Sequence, residues 1–181
     1  MQYQDCVLEP QDDADSAARW PAPSKDQRGA ELTDANINPQ TGLATDYLNH
    51  FNEAIMLLEM VGDCPDCLAD IRRWRPVSYS EHFLQSGFTG RDLAIAAYAS
   101  ADPAARACLD NLAATMTALI ETTRTTLTAD LPAQASGELA ARAALWLKQL
   151  VARAGAVING EIDIAEVDAP QATADRLMRR A

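Results

Sequence analysis

One stretch constrains this chain more than any other: Thr41 to Cys67, TGLATDYLNHFNEAIMLLEMVGDCPDC, where apolar residues recur at helical spacing and run into a Cys-x-x-Cys pair. Residues placed at 100° intervals form a core stripe of Leu43, Tyr47, Phe51, Ala54, Ile55, Leu58 and Val61. Thr41 or Thr45 suits the N-terminal cap, and Gly62 suits the left-handed C-terminal position. On the other side Asp46, His50 and Glu53 line up at i, i+4 and i+7, and Met56, Leu57 and Met60 continue that face. The last two turns are therefore apolar nearly all round, which places such a helix at the centre of a bundle or against another chain.

The remaining segments keep to helical punctuation. A second helix is expected from Asp63, with Pro65 near its first turn and Pro76 as its stop, followed by short helices over Tyr79–Ser86 and Arg91–Ala101. Asp102-Pro103, a cap followed by an N1 proline, opens the longest helix, to about Thr128. Its stripe is Cys108, Leu109, Leu112, Met116, Leu119, Ile120, Thr123 and Leu127, and its threonine-rich end depends on tertiary packing and is expected to fray. A further long helix spans Ser136 to Ala154 with the stripe Leu139, Ala143, Trp146, Leu147, Leu150 and Val151. Asn159-Gly160 marks a turn, Glu161–Ile164 an extended piece, and Pro170–Arg180 a last short helix.

Composition agrees. The chain is 48% hydrophobic but only 6% aromatic, with much of the apolar share in alanine, which favours closely packed helices over sheet. These signals predict an all-α fold: a four-helix-like helical bundle with additional short helices, formed by residues 41–181 as one domain. Residues 1–40 hold eight acidic and three basic side chains and four prolines in no periodic order, and are read as a flexible acidic arm. Trp20, isolated in ARWPAP, is the arm's candidate anchor on a partner or on the arm's own domain.

A formal charge of −11 repels phosphate backbones and anionic lipid, so neither nucleic acid nor a membrane surface is expected as a partner. No window offers the run of about 18 apolar residues a spanning helix needs. The first fifteen residues lack the basic-then-apolar order of an export signal, so a cytoplasmic location is expected. The four cysteines then read as thiols or ligands rather than disulfides.

Three constellations carry chemistry. Cys64-Pro65-Asp66-Cys67 has the spacing of a zinc or thiol-redox pair, and the chain's only two histidines, His50 and His82, with Glu53 in reserve, are the candidates for the remaining ligands. In these four residues the pair resembles the all-α alkylhydroperoxidase-type disulfide reductases; the Leu-Ala-Asp-Ile-Arg-Arg after Cys67 holds no histidine to extend the likeness. Arg72, Arg73 and Arg75 around Trp74 make a basic patch suited to a small acidic ligand or to the chain's own acidic arm. Met56, Leu57 and Met60 make an interaction face.

Nucleophile signatures, phosphate-cradling glycine loops and dinucleotide fingerprints are absent from the sequence, whose eight glycines include no Gly-x-Gly. The leading expectation is therefore a non-enzymatic protein-interaction or regulatory module with a protein partner or a homo-oligomer, and with no cofactor. The alternatives are a metal-binding or thiol-redox protein, with zinc as the metal, and a bundle holding a small acidic ligand.

Overall fold

The computed structural model describes residues 25–64, 67–128 and 130–162. Within them the fold is all-α. The helices are α1 (Lys25–Asp34), α2 (Asn49–Met60, entered through a 3₁₀ turn at Thr45–Leu48), α3 (Cys67–Arg73), α4 (Tyr79–Gln85), α5 (Arg91–Ser100), α6 (Pro103–Thr126) and α7 (Ala133–Ile158). Trp20, Cys6, Ile164 and the expected helix at Pro170–Arg180 lie outside the described residues.

The framework is α2, α6 and α7, with α7 packed against both of the others. Helices α2 and α7 run antiparallel: Leu48 meets Gly155, Glu59 pairs with Lys148, and Gly62 lies against Gly137. All seven residues of the stripe read for the first long helix are buried, as are all but Leu119 of the α6 stripe, and Leu119 packs against the core from a half-buried position. Helical periodicity selected these faces because large apolar side chains alternate with polar ones at the helix repeat.

Helix α7 departs from expectation at Trp146, which is 63% exposed rather than in the core. Its buried line is Ser136, Ala140, Ala143, Ala144, Leu147, Ala154, Val157 and Ile158. Small residues let α2 and α6 approach closely, and an indole has no room there. At Gly137 a Cβ atom would lie 3.1 Å from the Cα of Gly62. The helix also begins at Ala133, directly after Pro132, three residues before the expected Ser136.

Caps fix the remaining elements. Asp102 accepts hydrogen bonds from the amides of Ala104 and Ala105 at 3.0 and 2.9 Å, and Pro103 starts α6 without a donor to satisfy. Ser78 and Glu81 form a reciprocal capping box at α4. The entry to α2 has no side-chain cap: Ala44 stands at the N-cap of the 3₁₀ turn, where a threonine was expected. Helix α6 ends at Thr126, two residues early, and buried Leu127 closes that end, its carbonyl accepting from Arg72 Nη2 at 2.9 Å.

Residues 25–40, assigned to the acidic arm by composition, contain α1 and a buried Ile37 that bridges antiparallel to Ala44. The turn between them needs Gly42: its φ is +71°, and a Cβ would approach Ala97 O to 3.1 Å. Thr41 Oγ1 then donates to the carbonyl of Ile158 at 2.6 Å, tying this turn to the end of α7.

Candidate functional site

A groove of about 620 Å³ opens between α2 and the α3–α4 connection. Helix α2 contributes His50, Glu53 and Leu57, α3 contributes Asp70 and Arg73, the connection contributes Trp74, Arg75 and Val77, and α4 contributes His82 and Gln85. The sequence places His50, Glu53 and Leu57 on one face because they stand at i, i+3 and i+7. His82 reaches the same groove because the Ser78 cap sets the start of α4.

Trp74 is the pivot. Its ring is buried and stacks on the His50 imidazole, with centroids 4.6 Å apart and planes inclined by 21°. Its Nε1 donates to the His50 carbonyl at 3.2 Å, so side chain and backbone of His50 are held by one residue. The Trp74 carbonyl in turn accepts from Arg75 Nη1 at 2.9 Å and from Arg124 Nη1 at 3.1 Å. The His82 ring lies 6.3 Å from that of His50, edge-on to Tyr47 and Phe83.

Both histidines are held below the ordinary imidazole range. Burial is the main cause for His50, followed by the neighbouring His82, and together they outweigh a hydrogen bond to the Arg75 carbonyl and bring its pKa to about 4. Burial likewise lowers His82, against a hydrogen bond to the Asp46 carbonyl and the charge of the Asp46 carboxylate. Both shifts favour the uncharged ring, which can offer a lone pair. Nε2 of His50 is enclosed and has no hydrogen-bond partner among the described residues.

The structure divides the predicted metal set. His50, His82 and Glu53 line one groove; Cys64 and Cys67 sit at the α2–α3 turn and do not line it. Cys64 is half-buried, Cys67 is buried, and neither is in a disulfide. Among the described residues no three His, Cys, Asp or Glu side chains are already gathered as a group that could hold a metal.

The basic patch is also divided. Arg72 donates to the Leu127 carbonyl, Arg73 pairs with Asp70, and Arg75 donates to the carbonyls of Arg72 and Trp74. Only Arg73 and Arg75 line the groove beside Trp74, and both are engaged.

Sequence reading missed the aromatic wall behind the groove. Across the Pro76–Ser78 segment, Tyr47, Tyr79 and Tyr98 line a second recess with Asp110. Tyr79 stacks on Tyr98 at 4.3 Å and its hydroxyl accepts from the Ala44 amide at 2.9 Å, while Tyr98 donates to the Asp110 carboxylate at 2.7 Å. Tyr47 donates to the Val77 carbonyl at 3.1 Å. Tyr47, Tyr79, Tyr98 and Asp110 lie on four separate elements, and no spacing in the chain announces their meeting.

Of the three α2 residues expected to meet a partner, Met56 is 53% and Met60 43% exposed, while Leu57 is half-buried and lines the groove. Leu145 of α7 is 58% exposed. No helix among the described residues is long and apolar enough to cross a membrane. No protein-family model, curated protein or solved structure matches the chain, and its geometry alone carries the functional reading.

Proposed function

We propose that the protein is a non-enzymatic interaction module with a regulatory role, and that the partner on its outer α2 face is a second copy of the chain. The observation that carries this reading is the exposure of Met56, Met60 and Leu145 around one cross-helix ion pair, Lys148 with Glu59. Met56 and Met60 flank Glu59 on α2 at i−3 and i+1, and Leu145 stands at i−3 from Lys148 on antiparallel α7. The three apolar side chains thus share one surface across the α2–α7 seam. Methionine suits such a surface because its flexible thioether adapts to the opposing side chains.

The charges also favour a second copy. A two-fold axis over the seam sets each Glu59 opposite a partner's Lys148, so an acid and a base already paired within one chain can pair between chains. Size-exclusion chromatography with light scattering over a concentration series tests the reading. The expected result is a dimer that Met56→Asp or Met60→Asp converts to a monomer with unchanged circular dichroism. A chain that stays monomeric to its solubility limit overturns the proposal.

A further inference from the structure

The outer face of α7 carries an inference that does not depend on dimerisation. We propose that Arg142, Trp146 and Arg153 form the docking site for an acidic segment of this same chain, residues 9–15.

Helical spacing puts these side chains on one stripe: Arg142, Trp146, Gln149 and Arg153 stand at i, i+4, i+7 and i+11, and all four are exposed. The Trp146 side chain makes no ring contact or hydrogen bond among the described residues. It stands two residues from Lys148, about 200° of rotation, so the stripe lies on the far side of α7 from the Lys148–Glu59 pair. Arg142 and Arg153 likewise have no side-chain hydrogen bond or ion pair among the described residues. Glu138, one turn before Arg142, accepts instead from Gln134 Nε2 at 3.0 Å. An indole in water between two unpaired guanidiniums has the chemistry to receive carboxylates and an apolar ring.

Charge decides which segment answers it. Sequence reading offered Arg72, Arg73 and Arg75 to the acidic arm, but in the fold Arg72 and Arg75 are committed to backbone carbonyls and Arg73 to Asp70. Residues 1–24, which precede the described part of the chain, hold five acidic side chains and one basic. Most of an acidic surface repels a segment of that charge, and unpaired arginines are where attraction prevails. Arg28 on α1 is also exposed and unpaired, but it lines a recess with no aromatic side chain.

The order of residues matches too. Glu9-Pro10-Gln11-Asp12-Asp13-Ala14-Asp15 sets acids on both sides of a proline, as the stripe sets arginines on both sides of an indole. A proline packs on an aromatic face, and carboxylates take guanidiniums bidentately. At about 3.1 Å per residue in a polyproline strand, Glu9 is about 12 Å from Asp13 and about 19 Å from Asp15, which brackets the roughly 16 Å along α7 from Arg142 to Arg153. Reach is sufficient. Helix α1 is about 15 Å long, and Thr33 at its far end lines a recess with Ile158, which is about 18 Å along α7 from Trp146. The chain from Asp13 to Lys25 extends to about 40 Å, enough for both laid end to end. Tethering holds the segment at an effective concentration of about millimolar, so contacts that are individually weak suffice.

A nitroxide on Cys6 of the full chain tests the docking. Cys64→Ser removes the half-buried thiol, and Cys67 and Cys108 are buried. Cys6 stands three residues before Glu9, so the NMR signals of the Trp146 indole N–H and of the amides of residues 142–153 should be lost in about 0.1 M salt. They should return in about 1 M salt, where the screening length falls from about 10 to about 3 Å. Neutralising the segment with Glu9→Gln, Asp12→Asn, Asp13→Asn and Asp15→Asn together, or reversing the stripe with Arg142→Glu and Arg153→Glu, should restore the signals with circular dichroism unaltered. The segment variant alters no described residue and keeps the test decisive if the arginine variant misfolds. Spin-labelled chain mixed with isotope-labelled chain free of nitroxide should leave the signals intact. Full signals at the lower salt, losses confined to other elements, or losses that persist in the neutralised segment overturn the proposal. Losses in the mixed sample also overturn it, because they assign the segment to a second copy.

Discussion

The α2–α7 seam and the aromatic corner around Pro76 hold the same molecule together by opposite means. Along α7 the contact is made by alanine and glycine, with backbones so close that Gly62 and Gly137 face one another without side chains. Around Pro76 it is made by large rings, Trp74, Tyr47, Tyr79, Phe83 and Tyr98: the hydroxyls of Tyr47 and Tyr79 bind the backbone of connecting segments, Trp74 donates to the His50 carbonyl and Tyr98 to the Asp110 carboxylate. A seam of small residues resists added volume. A corner of rings depends on volume it already has and on hydroxyls that finish the hydrogen bonding of loops. The candidate site lies at the corner, where polar atoms can be placed, and the seam provides the rigid back of α2.

Perturbing each region in the way it tolerates least should separate the two. The largest effect is expected from Phe83→Ala, which empties a fully buried ring packed by Tyr79, His82 and Phe88 and should cost about 3–5 kcal/mol in chemical denaturation. Adding volume at the seam with Ala140→Leu should cost about 1–3 kcal/mol. A neutral outcome there would show that α7 can shift away from its neighbours, and the contrast between the regions would lose its basis.

Tyr79→Phe keeps the ring and removes only the acceptor of the Ala44 amide, so a loss of about 1–3 kcal/mol would isolate the polar part of the corner. Alkaline titration examines the same atoms without mutation. Burial, reinforced by Asp110 and Glu81, pushes Tyr47 up to about 12 from its usual 10.0, and burial also raises Tyr79. A raised folded pKa means that the stabilisation is complete below pH 10 and is lost as pH climbs from 10 through 12. The denaturation midpoint should fall across that window, and Tyr47→Phe should flatten the fall. The smallest effect is expected from Lys148→Ala: an exposed ion pair contributes under about 1 kcal/mol, so the variant should alter association and leave monomer stability nearly unchanged.

How far the sequence could be read follows the same division. The stripes of α2 and α6 were legible because Leu, Ile, Phe and Met stand out against polar neighbours at a helical period. On α7 that contrast fails: Ala140 and Ala144 are buried while Ala141 is exposed, and the eye is drawn to Trp146, which faces outward. Residues 25–40 were hidden by polarity, since one buried Ile37 and a glycine turn do more to fix that segment than its charges suggest. At the site, His50, His82 and Glu53 were legible as residue types but were grouped with Cys64 and Cys67, because proximity in sequence is a poor guide across a helix–helix turn. The stacking of Trp74 on His50, 24 positions apart, has no linear signature.

The hydrogen bond from Thr41 to Ile158 has a topological consequence. It brings together points 117 residues apart, so the described chain enters and leaves its three-helix framework at one pole. A short linker joining those two points would give a circular permutant with the framework intact, and new ends could be opened at an exposed turn such as Gly87. Whatever is fused to either end of the framework then emerges on the same side.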